Sequence, residues 1–171
     1  MHSENEQLNS IIMSKEATLK TLQQSDNVSF YSICFDESNE SEYEKFINKF
    51  KDEAHLNNDF RTIIYAISKI VAVGAFERFF RVEGKMNDHV TALSIDSRKL
   101  RLYCLRISDQ ILIAGNGGVK DTRTYEESQE LNGYVMDLQK FDKLLLQAQK
   151  EGSIEIERNV ITGIEGKVFQ L

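Results

Sequence analysis

The chain of 171 residues contains no proline, so Gly, Asn, Asp and Ser have to shape every loop. Long apolar runs are also missing. None approaches the roughly 18–20 residues that span a bilayer, so no membrane partner is expected. Cysteine is scarce: Cys34 and Cys104 make no disulfide framework. Each lies in an apolar, strand-like run ("SFYSICF", "LRLYCLRI"), which reads as a buried free thiol in a reducing cytoplasm. Histidine gives no metal signal. His2, His55 and His89 are far apart, none stands at ligand spacing from a cysteine or an acid, and no metal or cofactor is expected. The opening "MHSENEQLNS" has acids and amides where a secretory signal has a basic patch and an apolar segment, so the expected compartment is the cytoplasm. Internal repeats and low-complexity runs are absent from the sequence.

What is present describes a folded domain. An apolar content of 41% beside 28% charge is ordinary for a globular protein and excludes a disordered one. The net charge of −6 hides a division. Residues 1–60 hold twelve acids against five bases. Residues 98–123 hold six bases (Arg98, Lys99, Arg101, Arg106, Lys120, Arg123) against two acids (Asp109, Asp121). Such asymmetry fits an anionic ligand or an internal partner for one face, and it equally fits a solvated sheet face.

Along the chain, 1–27 reads as a polar leader with a weak helical pattern through Leu8, Ile11, Ile12, Ala17, Leu19 and Leu22. Asn27 to Phe35 is β-branched and aromatic, as a strand is. Asn39 with Glu42 offers a cap for a helix whose stripe is Tyr43, Phe46, Ile47, Phe50 and Ala54. A second stripe, Phe60 to Gly74, with Asn58 or Asp59 as cap, completes a helical hairpin. "FERFFRVEGKMNDH" is a transition. Three strands follow, Val90–Ile95, Leu100–Ile107 and Gln110–Gly115, with linkers short enough for an antiparallel meander. Asp137 reads as the cap of a further helix ending at Gly152, and the tail turns at Arg158-Asn159 as a β-hairpin. The expected class is α+β: a mainly antiparallel sheet of the first strand and the meander, the helical hairpin packed on one face, plus the C-terminal helix and β-hairpin.

Period two divides the central strand. Leu100, Leu102 and Cys104 face the helical hairpin, while Lys99, Arg101 and Tyr103 line the second face, two cations beside an aromatic ring. "QILIAG" reads as a strand buried on both faces. It delivers the chain to Asn116-Gly117-Gly118, a turn whose glycines would permit positive φ and close approach by a ligand. Lys120 and Arg123 follow. Phosphates pair with such cations and a base stacks on an aromatic ring, so single-stranded nucleic acid is a fitting ligand.

The segment from Val28 to Arg123 resembles the RelE/ParE/HigB superfamily of bacterial toxins, the toxin partners of toxin–antitoxin pairs. The resemblance rests on a first strand "FYSICFDE", a helical hairpin, and "FFRVEGKMNDHVTALSIDSRKLRLYCLRISDQILIAGNGGVK", with "GNGGVKDTRTYEES" most similar to the HigB-like branch. It divides the chain into a leader (1–27), a RelE-like α+β core (28–130) and an extension of a helix plus β-hairpin (131–171).

The resemblance implies a metal-independent endoribonuclease that leaves a 2′,3′-cyclic phosphate, acts on RNA including mRNA on the ribosome, and pairs with a cognate antitoxin protein. It places Arg101 at the scissile phosphate, Lys120 at the end of the next strand, and Tyr125 as the C-terminal tyrosine. Arg98, Lys99 and Arg123 become backbone contacts, with Tyr103 beside them. The chain departs from the family in being acidic and longer, and no histidine lies near these residues. A non-catalytic RNA- or protein-binding regulatory module on the same fold is therefore the alternative.

Overall fold

Alternation governs the first element in the computed structural model, which describes residues 15–83, 88–93 and 99–171. Ala17 and Leu19 are buried while Thr18 and Lys20 are half-buried, so β1 (Glu16–Gln24) is a strand. This corrects the helical reading of the leader; Leu8, Ile11 and Ile12 lie outside the described residues. The physical reason is its neighbour. All seven residues of β2 (Ser29–Phe35) are buried, and β1 covers its edge in an antiparallel pair from Ala17↔Phe35 to Gln24↔Ser29. Ser25 shapes the turn between them, its Oγ accepting from Asn27 N (3.1 Å) and Val28 N (3.0 Å).

Helix α1 (Glu42–Phe50) starts two residues later than the Asn39–Glu42 spacing suggests. Ser41 is its cap, and Ser41 with Glu44 forms a complete capping box. Helix α2 (Asn57–Val73) starts before Asn58 and Asp59; its cap position is Leu56, whose side chain has no acceptor, and Asp59 instead accepts from the backbone of 99–100 as described below. Tyr43, Phe46 and Phe50 of α1 join Ile63, Ile67 and Ile70 of α2 in one core over Phe30, Leu100, Leu102, Cys104 and Leu112. Both cysteines are buried free thiols.

Strands β3 (Phe80–Val82), β4 (Val90–Leu93), β5 (Leu100–Ser108) and β6 (Ile111–Val119) run antiparallel in succession. β6 then lies parallel to β2, with Ser29↔Ile111 to Ser32↔Ala114 in register. Helix α3 (Gln129–Glu151) is capped by Ser128 and stopped by Gly152 at φ 78°. It begins well before Asp137, which sits mid-helix and pairs with Lys15 at 2.8 Å. A small hairpin, β7 (Glu155–Ile156) and β8 (Ile161–Thr162), precedes β9 (Phe169–Gln170), which pairs with β1. The sheet order is β3-β4-β5-β6-β2-β1-β9. The fold is α+β with a mainly antiparallel sheet.

The sheet is covered on both faces. Leu131, Val135, Leu138, Phe141 and Leu145 of α3 share a second core with Tyr31, Ile33, Tyr103, Leu105 and Ile113. Each such buried side chain contributes about 1.5–3 kcal/mol over its exposed state. The helix and tail of 131–171 thus supply nearly half of this second core.

Candidate nucleic-acid interface

β5 carries the candidate site, and its alternation puts Leu100, Leu102 and Cys104 beneath α1 and α2. The opposite side is not an open cationic row. Tyr103 and Leu105 are fully buried under α3, and the Tyr103 ring meets Tyr125 edge-on, centroids 6.3 Å apart. Tyr103 therefore offers no ring face on which a base can stack. Its phenol is pushed up to about 12, chiefly by burial.

The glycine turn is also corrected. β6 runs through Gly115, Asn116, Gly117 and Gly118 to Val119, and the described glycines with positive φ are elsewhere. Close packing explains these glycines. A Cβ on Gly117 would lie 1.8 Å from the carbonyl oxygen of Arg101, and Cβ atoms on Gly115 and Gly118 would lie 3.1 Å from Leu138 and Leu131 of α3. The β5–β6 register shifts between Leu102 and Cys104, so the irregular stretch of β6 falls at Gly115-Asn116. Asn116 is buried there; its Oδ1 accepts from Gly117 N at 2.8 Å.

The cations gather where β5 begins and β6 ends. Arg101 pairs with Gly118 and Leu100 with Val119, and Lys120 N donates to Lys99 O at 2.7 Å. Cross-strand partners share a face, so Lys99, Lys120 and Arg101 project on one side in adjacent rows. Lys99 is exposed, and Lys120 and Arg101 are half-buried. Burial, then the neighbouring Arg81, draws the Arg101 guanidinium below its ordinary range. Asp59 anchors this end of the strand, its Oδ2 accepting from Lys99 N (2.9 Å) and Leu100 N (3.0 Å).

The remaining expected residues divide. Tyr125 opens a 3-10 turn, Tyr125–Glu127, and leans on Tyr103. Arg123 is exposed on the connection to α3. Arg98 lies outside the described residues. Arg106, another cation of the basic stretch, holds structure instead: its Nε donates to Ala75 O at 2.7 Å and its Nη2 pairs with Asp109.

Two residues escaped the sequence reading. Arg81 of β3 pairs with Ala92, and Ala92 with Tyr103, so Arg81 lies in the Tyr103 row on the α3 side. Glu83 follows two residues later, its Oε1 accepting from Arg81 Nε at 3.3 Å. Alternation in "FFRVEG" carries this signal, which reading the segment as a transition obscured. An acid also stands beside the cations. Glu130, near Gly118, accepts from Lys49 Nζ (2.6 Å) and Tyr134 OH (3.1 Å).

A cleft of about 1090 Å³ lies between β1 and residues 160–166, toward the far edge of the sheet from these cations. Among the described residues no three His, Cys, Asp or Glu side chains gather as metal ligands, and no helix is long and apolar enough to cross a membrane. Comparison with protein-family models, curated proteins and solved structures finds no match to this chain.

Proposed function

We propose that the protein is a metal-independent endoribonuclease of the RelE/ParE/HigB type, working in the cytoplasm and binding RNA at the shared end of β5 and β6. The observation that carries the reading is the cross-strand adjacency of Lys99 and Lys120, with Arg101 one row along on the same face. Three cations so placed match the phosphates of a single strand. The parts on which the resemblance rests also recur in order, as β2, α1 with α2, and β4–β6.

The chemistry follows from charge. When a 2′-hydroxyl loses its proton, its oxygen attacks the adjacent phosphorus. Negative charge then builds on the non-bridging oxygens, where Arg101 and Lys120 stabilise it. The P–O5′ bond breaks, and the Tyr125 phenol protonates the departing 5′-oxygen, leaving a 2′,3′-cyclic phosphate and a 5′-hydroxyl. mRNA on the ribosome is the substrate and a cognate antitoxin the protein partner.

A second reading, a non-catalytic RNA- or protein-binding module, is favoured by the burial of Tyr103 beneath α3 and by Glu130 beside Gly118. Induced expression in a bacterium separates the two. Wild type should halt incorporation of labelled amino acids, and an Arg101→Ala/Lys120→Ala variant should not. Continued incorporation with folded, soluble wild-type protein would remove the nuclease reading and leave the module.

A further inference from the structure

We infer that the outer edge of β1 is a docking site for an extended, cationic segment of a partner protein, which adds to the sheet as a strand antiparallel to β1, as β9 is. This edge lies across the sheet from β5, and docking there needs no nuclease activity. Strand β1 is paired with β2 along its length, but on its other side β9 pairs with Glu16 and Ala17 alone. Glu16 O accepts from Asp36 N on the β2 side, and Lys15 O accepts from Leu171 N on the β9 side. Alternation therefore turns the N–H and C=O of Leu19 and Thr21 outward, where β9 no longer covers the strand. Among the described residues, nothing hydrogen-bonds these four groups. They repeat at roughly 7 Å, two residues of strand, which is the repeat a further strand presents. Lys20, the lysine on this edge, does not blunt it: its Nζ is folded back onto Glu44 Oε1 (2.6 Å) and Asn39 O (2.9 Å).

The edge forms one wall of the cleft of about 1090 Å³. The opposing wall, 160–166, is held in place. Ile161 N donates to the Tyr31 hydroxyl at 3.0 Å, Ile161 pairs with Ile156 in the small hairpin, and Lys167 N closes a turn on Ile164 O at 3.1 Å. An extended polypeptide carries donors and acceptors alternating at the spacing of the free edge, so the class of ligand follows from the backbone. Its side chains follow from the lining. A residue opposite Leu19 shares the face of Leu19, toward Tyr31, Ile161 and Ile164, and is apolar. Its neighbours point the other way, toward Ser38 and Asn39. The turn that holds those two also bears Asp36, Glu37 and Glu40 and no base, and among the described residues none of the three forms an ion pair. Glu165 on the opposing wall is exposed, and the cation of the lining, Lys20, is neutralised by Glu44. Lysine or arginine on alternate residues complements this negative rim.

The probe is a short synthetic peptide alternating lysine with valine, titrated into the full chain and followed by fluorescence anisotropy and amide hydrogen exchange. Binding should slow exchange at Leu19 and Thr21 and leave Lys20, already paired with Ser32, unchanged. The same peptide methylated on every valine nitrogen keeps its charge but loses the donors that face β1, and should bind at least about tenfold more weakly. A glutamate-for-lysine peptide should be weakened similarly. Thr21→Pro removes an outward N–H while sparing the ladder with β2, because an edge strand accepts proline where its nitrogen faces solvent, and should abolish binding. Binding that valine methylation or Thr21→Pro leaves unchanged would overturn the proposal, as would no binding by folded wild type. Protection of Leu19 and Thr21 that grows with protein concentration in the absence of peptide would overturn it in favour of a second copy at this edge. If Thr21→Pro fails to fold, the methylated peptide on wild type decides.

Discussion

Gly117 shows how a single hydrogen decides the geometry of the cationic end. With no side chain, β6 approaches β5 until the space for a Cβ is filled by the Arg101 carbonyl oxygen, 1.8 Å away. That obstacle is backbone and cannot swing aside. Gly117→Ala should therefore cost at least the 1–3 kcal/mol typical of overpacking, read from a lower urea midpoint, and should weaken RNA binding because Arg101 moves with its strand. Gly133, which has nothing within 4 Å of its would-be Cβ, is the control, and Gly133→Ala in mid-helix should stabilise slightly. The run "GNGG" was legible as a special place in the chain. Its purpose was not, because close approach between strands and an exposed turn both call for glycine, and only the partner atoms distinguish them.

Helix α3 is the element that most changes the reading of the site. It lies over the side of β5 where alternation alone suggests an open row, and the buried face of a sheet cannot be told from a solvated one when its covering helix is far along the chain. Its stop at Gly152 is legible in the sequence; its start is not, because Ser128 lies nine residues before Asp137, the cap the sequence suggests. β1 was misread for a similar reason: three apolar residues fit a weak helical period until β2 supplies a pairing edge.

The far end of α3 is tied to β4 by His89, whose Nδ1 lies 2.8 Å from Asp142 Oδ1 and whose backbone N donates to Asp142 Oδ2 at 3.2 Å. The hydrogen bond to Asp142 raises the His89 pKa above its ordinary 6.5; burial opposes this, Asp88 adds to it and Arg106 opposes it. A raised folded-state value stabilises fully below the unfolded pKa and is lost as pH rises through the folded one. Thermal midpoints should therefore show a component that falls between about pH 6.5 and the raised value. His89→Gln should abolish that component; an unchanged profile in the variant would contradict the coupling.

At the scale of the whole molecule, the two ends of the described chain meet. Leu171 N donates to Lys15 O at 2.8 Å, and β9 closes onto β1 with Phe169 packed on Phe141, centroids 4.9 Å apart. Phe169→Ala should cost about 3–5 kcal/mol, because the cavity opens into the core under α3. Denaturant unfolding measures it, and a near-neutral result would mean that the tail packs loosely. Charge is divided at this scale too. On the proposed reading, the cations that open β5 and follow β6 steer RNA to one end of the sheet although the net charge of the chain is −6. The central claim is that this end cleaves RNA. Its most direct measurement is the chemistry of new mRNA ends after induced expression of wild type and of Arg101→Ala/Lys120→Ala. New 5′-hydroxyl ends matched by 2′,3′-cyclic phosphates, from wild type alone, are the predicted result. Their absence with folded wild-type protein, or their persistence in the variant, would contradict it.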